Sequence, residues 1–152
     1  MDRVAVVADV TVLLGIAGLH VGWAHGGSWP LPDREALSRK VLGVEPADRA
    51  DVTSAHSGAA GLVECYAVAG ALTAAAALVA GRPPIAARLR RIGLRGLVTV
   101  LTARGLLGVT GRTRLVVPMA TGQTFTRLDR RYYGPLCLLL AGLSSRSLAI
   151  SE

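Results

Sequence analysis

Aromatic side chains are scarce in this sequence: they make up 4% of its 152 residues, although 51% of the residues are hydrophobic. The apolar residues are therefore mostly alanine, leucine, valine and glycine, and the mean hydropathy is +0.46. A composition of small and aliphatic residues suits helices that pack in lipid better than it suits a soluble core. The sequence therefore indicates an integral membrane protein.

Cysteine and histidine are also few and scattered. Cys65 and Cys137 each stand alone in an apolar stretch, so we interpret both as small buried hydrophobic side chains, with a redox pair as the alternative. A metal site would have to combine His20, His25 and His56, but the first two lie five residues apart and do not share a helix face. We therefore expect neither a bound metal nor a cofactor.

Negative charge is in the minority, with 10 acidic against 17 basic residues and a net charge of +7. The basic residues, nearly all arginine, lie between the apolar stretches rather than along one face, and the motifs of nucleic-acid-binding proteins are absent. Basic loops beside apolar segments are typical of contact with lipid headgroups. We expect the partner of this charge to be the lipid bilayer and not a nucleic acid.

Four apolar segments are long enough to be transmembrane helices, and spans of about 20 residues would use roughly half the chain. The first stretch is the clearest because Val10–Pro32 contains no charged residue. A secretory signal peptide is the alternative for this segment, although Asp9 would be unusual in its apolar core. The predicted spans are residues 4–23, 55–80, 94–111 and 133–150, in a single membrane domain covering residues 1–152.

The connections between the spans carry further helix signals. In the polar segment 26–53, Asp33 is a plausible N-cap and Gly43 can end a short interfacial helix. In the basic connector after the second span, Ile85, Leu89 and Ile92 recur at helical spacing. This spacing predicts a helix lying on the membrane surface.

Four consecutive spans predict an all-α fold, an up-down bundle of four transmembrane helices. Loops one and three then lie on one side of the membrane, and loop two lies on the other side with both termini. Loop two is short and densely basic, whereas loop one also carries five acidic residues. The positive-inside rule therefore favours cytoplasmic termini in the cytoplasmic (inner) membrane.

Ionisable residues inside these spans are the first candidates for function, because a charge in the bilayer is costly and tends to face the bundle interior. Asp9 and His20 fall on one helical stripe of the first span. Glu64 and Arg104 both lie in the half of the membrane nearest loops one and three. We predict that they form an ion pair, either to fix helix register or as part of a catalytic or ligand-binding site.

Three stretches together resemble a family of small bacterial membrane proteins, best known from actinobacteria, called domain of unknown function 3995. The stretches are Leu19–Pro30, Arg104–Thr113 and Phe125–Cys137. The resemblance implies four helices in the cytoplasmic membrane and no established activity.

All three stretches lie on the side of loops one and three, which suggests one pocket there. The alternative is an aromatic belt, with Arg127 and Arg130 on lipid phosphates. The residues expected to line the pocket are His20, Trp23, Arg104, Arg127, Asp129, Tyr132 and Tyr133.

Our first functional hypothesis is a binding or enzymatic site for a lipophilic or anionic small molecule. His20 or Glu64 would move a proton as the catalytic residue, and Arg104 and Arg127 would hold an anionic group. The alternatives are a non-enzymatic accessory or assembly protein, whose small-residue helix faces pair with a membrane partner or a second copy, and a small transporter that acts as a homo-oligomer.

Overall fold

The computed structural model describes residues 3–42, 59–82, 84, 86–118 and 122–149, and it contains no β-strand in these ranges. A 3₁₀ turn at Thr113–Leu115 and π-helical turns at Ser38–Leu42 and Asp129–Tyr133 connect or extend the helices. The α-helices are α1 (Arg3–Ala24), α2 (Arg34–Leu37), α3 (Ala59–Ala80), α4 (Ala87–Thr110), α5 (Gln123–Leu128) and α6 (Gly134–Ala149). The predicted all-α class is confirmed.

Three of these helices are long and apolar enough to cross a membrane: α1, the part of α3 from Leu62 to Ala80, and α4. Helix α6 has 16 residues, about 24 Å at 1.5 Å per residue, which is less than the roughly 30 Å of a bilayer's hydrocarbon core. The start of the second predicted span, residues 55–58, and the last residue of the fourth, Ile150, lie outside the described residues.

The prediction of a separate surface helix in the basic connector is wrong. The segment from Arg88 to Ile92 forms the first turns of α4, which continues without a break to Thr110. Gly93 permits close packing of these turns on α3, because a Cβ added there would be 2.8 Å from Leu78 Cδ1. The connector therefore packs on α3, and Ile85 lies outside the described residues.

The predicted N-cap in the polar segment after α1 is confirmed. Asp33 Oδ1 accepts a hydrogen bond from the Ala36 backbone N–H at 2.7 Å, which satisfies one of the free donors at the start of α2. The helical path continues through Ser38–Leu42. Gly43, the predicted end of this helix, lies outside the described residues.

The long helices pack in two close pairs, α1 against α3 and α4 against α6. Contacts near the helix ends show that neighbouring helices run in opposite directions. The Arg90 guanidinium, near the start of α4, donates to the Leu78 carbonyl at the end of α3, at 3.0 Å. Side chains from all four helices meet between the pairs, and the largest buried ones are Leu13, Val79, Leu94 and Leu140.

Glycines allow α4 and α6 to approach until their backbones touch. A Cβ on Gly134 would lie 2.7 Å from Val109 N, and one on Gly108 would lie 2.9 Å from Gly134 Cα. A Cβ on Gly105 would meet Leu138 Cδ2 at 2.7 Å. Small residues at a helix interface allow such close packing in membranes, and here they bring Arg104 within reach of the segment before α6.

Gly134→Ala should therefore destabilise the protein, because the methyl group has no space between two backbones. We expect a loss of about 1–3 kcal/mol, as for other overpacked sites, measured by thermal unfolding in detergent. Gly142→Ala on the same helix is the matched control, since nothing lies within 4 Å of its Cβ position. Equal stability of the two variants would contradict the close approach of α4 and α6.

Candidate functional site

Asp129 is the centre of the most strongly connected polar cluster in the described structure. Its side chain is 1% exposed and lies beneath the 30%-exposed side chain of Arg104. Arg104 donates from Nη2 to Oδ1 at 2.7 Å and from Nη1 to Oδ2 at 3.2 Å. The Thr113 hydroxyl donates to Oδ2 as well. One carboxylate thus joins α4, the 3₁₀ turn that follows α4, and the segment that leads into α6.

A π-helical turn orients this carboxylate. The Gly134 N–H donates to the Asp129 carbonyl oxygen five residues earlier, instead of the usual four. In an ideal α-helix, residues five apart point about 140° away from each other. The wider turn lets both Asp129 and Gly134 face α4, where Asp129 Oδ1 lies 3.0 Å from the Cβ position of Gly108.

The predicted ion pair between Glu64 and Arg104 is wrong. Arg104 directs both terminal nitrogens to Asp129, whereas Glu64 lies on an exposed part of α3. The physical reason is the packing order, because α4 packs closely on α6 while α3 packs closely on α1. The bidentate geometry is the strongest form of arginine–carboxylate contact, and it offsets the cost of burying Asp129.

An open cleft with a volume of about 540 Å³ lies beside this cluster, between the end of α4 and the start of α5. Arg130 borders it and donates from Nε to the Val109 carbonyl at 3.3 Å. Gly111 ends α4 in the left-handed conformation (φ 72°), and this turn directs the chain around the cleft. The lining residues are Gly111, Arg114, Gln123, Thr126, Arg127 and Arg130.

The cleft is cationic. Three of its lining residues are arginines, and none of the described lining residues is acidic. Asp129 is the neighbour of Arg130 in the chain, but it is buried and its oxygens bind Arg104 and Thr113. Guanidinium groups around a cavity of this size, together with the Gln123 amide, can bind an oxyanion through several hydrogen bonds.

The predicted site residues of the first stretch lie together but apart from the cleft lining. His20 donates from Nδ1 to the Ile16 carbonyl at 2.9 Å, and its ring lies 4.8 Å from that of Trp23. The indole N–H of Trp23 donates to the Trp29 carbonyl at 2.8 Å. These bonds hold the end of α1 against its own loop. Proton transfer by His20 or Glu64 stays a prediction.

The two tyrosines of the third stretch have different surroundings. Tyr133 lies with its ring 6.3 Å from Phe125 and donates from its hydroxyl to the Lys40 carbonyl at 3.4 Å. Tyr132 is exposed, and the Arg131 guanidinium lies 5.8 Å from its ring centre. Of the residues predicted to share one pocket, the structure joins Arg104 to Asp129 and places Arg127 in the cleft lining. Ligand binding by any of them stays a prediction.

Sequence reasoning missed Thr113 and Arg114, although both lie within three residues of Gly111 at the end of α4. It also missed the partner of Asp9. The Asp9 carboxylate is fully buried and accepts a hydrogen bond from the Ser144 hydroxyl at 2.8 Å, while its Oδ1 has no hydrogen-bond partner among the described residues. A serine in an apolar stretch, unlike a charged residue, carries little signal of such a contact.

Three of the described helices are long and apolar enough to cross a membrane, and a charged cluster lies at the end of one of them; these are features of a helical membrane protein. The family described as "Protein of unknown function (DUF3995)" has a model that matches residues 13–144. The chain belongs to this family, as the three stretches of sequence indicated. No curated protein and no solved structure matches the chain.

Asp129 and Arg104 should be coupled in stability. Arg104→Met leaves the buried Asp129 carboxylate without its counter-charge and should cost about 3–5 kcal/mol. Asp129→Asn leaves the partly exposed Arg104 unpaired and should cost less, and the double variant should cost less than the sum of the two. Thermal unfolding in detergent measures the coupling. In the matched cycle, the stability losses of Arg104→Met and Glu64→Gln should simply add. A coupling of Arg104 to Glu64 as large as its coupling to Asp129 would contradict the observed pairing.

Proposed function

We propose that this protein is a four-span integral membrane protein that binds an anionic group in the arginine cleft. The observation that carries the proposal is the set of three arginines around one open cavity with no acidic residue among its described lining. The proposal keeps the predicted role of Arg127 as a ligand-binding residue. It assigns Arg104 and Asp129 a different role, which is to hold the walls of the cleft in place.

The packing of α6 supports a fourth span. Helix α6 lies along α4, with Gly134 beside Gly108 at one end of the contact. It also reaches α1, where Ser144 donates to Asp9. Packing along two helices of spanning length supports a similar depth for α6 in the bilayer. Together with α5 and the π turn, α6 continues one helical path from Gln123 to Ala149, which is long enough to cross.

The position of the cleft supports anion binding. It lies at the end of α4, where a spanning helix leaves the hydrocarbon and meets the headgroup region. The described lining of the cleft carries three arginines and no acidic residue, while the buried Asp129 carboxylate pairs with Arg104. Arginine suits this task better than lysine, since its planar fork matches two oxygens of a phosphate or carboxylate.

Arg127→Gln should remove anion binding while Arg131→Gln should retain it. The two substitutions remove the same charge from neighbouring positions, but only Arg127 lines the cleft, whereas Arg131 lies over the Tyr132 ring. We expect inorganic pyrophosphate, at ionic strength matched with sodium chloride, to raise the unfolding temperature of the wild type and of Arg131→Gln but not of Arg127→Gln. Equal responses of the two variants would refute a defined site in the cleft.

Loop two and the C-terminus should both lie in the cytoplasm. Loop two carries Arg82 and leads directly into Arg88, Arg90 and Arg91, and short basic loops stay on the cytoplasmic side. Reporter fusions after Gly81 and after the C-terminus measure this, with a fusion between α4 and α5 as the control expected outside. A C-terminus outside the cell with loop two inside would mean that α6 does not cross.

A further inference from the structure

Three exposed apolar side chains stand directly beside the arginine cleft. Leu115, Val116 and Val117 are 75%, 63% and 40% exposed, and they follow the cleft residue Arg114 without a break. They lie beyond the end of α4, outside the three helices of spanning length. Single exposed hydrophobic residues are common, but three in a row beside a cationic cavity form a continuous apolar surface that needs an occupant.

This surface, which we call the apolar turn (Leu115–Val117), is held in a defined conformation. The backbone N–H of Val116 and that of Val117 donate to the Thr113 carbonyl at 3.0 and 2.9 Å. The hydroxyl of Thr113 donates in turn to the buried Asp129 carboxylate. The side chains of the apolar turn therefore project outward because its backbone is anchored inward, next to the cavity and at a fixed spacing from it.

The position along α4 indicates what covers the apolar turn. Helix α4 ends at Thr110, and the left-handed Gly111 turns the chain. The residues that follow a spanning helix lie at the boundary between hydrocarbon and headgroups, where an apolar side chain reaches acyl chains and an arginine reaches phosphates. The charge of the cleft and the hydrophobicity of the turn are thus complementary to the two parts of one anionic amphiphile.

We propose that the occupant of this surface is an anionic membrane lipid, whose phosphate lies in the cleft on Arg127 and Arg130 and whose acyl chain lies on the apolar turn. This inference rests on the proposed function and names its ligand class. A small soluble anion would use the cleft and leave the apolar turn uncovered. The lipid contacts both the cleft and the apolar turn, and the ordered Thr113 backbone holds these two surfaces next to each other.

The test compares three probes on the purified full chain in detergent, by their effect on the unfolding temperature. Dioctanoyl phosphatidic acid carries phosphate and acyl chains, glycerol phosphate carries the phosphate alone, and dioctanoyl phosphatidylcholine carries the chains without net charge. We expect the phosphatidic acid to stabilise at far lower concentration than glycerol phosphate, and the phosphatidylcholine to have no specific effect.

Two variants separate the contribution of the lipid phosphate from that of the lipid acyl chain. Arg127→Gln should abolish stabilisation by both phosphate probes. Val116→Ser should weaken the apparent affinity for phosphatidic acid by roughly tenfold, the loss expected for about one to two buried methyl groups, and leave glycerol phosphate unchanged. Leu89→Ser is the matched control, because Leu89 is exposed at the opposite end of α4 and should leave both affinities unchanged.

The outcomes distinguish this inference from the proposed function. If glycerol phosphate binds as well as phosphatidic acid, through Arg127 and without regard to Val116, the cleft binds anions but the lipid inference is overturned. If Arg127→Gln changes neither response, both proposals fail. If phosphatidylcholine stabilises as well as phosphatidic acid, the contact is unspecific and the lipid inference is overturned. Stabilisation by an acidic amphipathic peptide and not by phosphatidic acid would assign the surface to a protein partner instead.

Discussion

A buried carboxylate imposes the constraint on which this end of the molecule depends. Asp129 has almost no contact with solvent, so its charge must be compensated by protein groups. Arg104 supplies the compensating charge and Thr113 a further hydrogen bond. Because these two residues belong to α4 and to the turn after it, satisfying one charge also determines how α4, its following turn and α6 are arranged. The glycine contact between α4 and α6 makes the distance short enough for this pairing.

The cluster also divides the arginines of this region into two groups with different uses. Arg104 pairs with Asp129 inside the protein and stabilises the fold, whereas Arg127 and Arg130 line the open cavity, where we propose that an anionic group binds. The same buried carboxylate holds the backbone of the apolar turn through Thr113. The turn that borders the cleft and the pairing of Arg104 therefore depend on the same buried carboxylate.

Much of the fold could be predicted from the sequence because its signals are local. Charge-free apolar stretches predicted helices of spanning length, and Asp33 predicted the start of α2 because aspartate is a common N-cap residue. The partner of Arg104 was not predictable in this way, since the packing order of the helices, α4 on α6 and α3 on α1, decides between Glu64 and Asp129. The basic first turns of α4 lie close to α3 at Gly93 and Leu78, a contact that hydropathy does not report. Arg127 was predicted as a ligand-binding residue from its neighbourhood in sequence, but its cleft neighbour Arg114 comes from a turn whose path the sequence pattern does not reveal.

The π-helical turn at Asp129–Tyr133 makes the winding of this segment as important as its composition. A π turn contains one residue more than the corresponding α-helical turn, and the wider turn keeps Asp129 and Gly134 on the same side of the helix despite that extra residue. If the same residues were wound as a regular α-helix, the two would point about 140° apart. Either the carboxylate would leave Arg104 or the glycine would leave the backbone of α4. A chain with one residue fewer between them would form an ordinary α-helical turn with the two about 40° apart, still on one face, so the segment tolerates the loss of a residue more readily than the loss of its π turn at the present length.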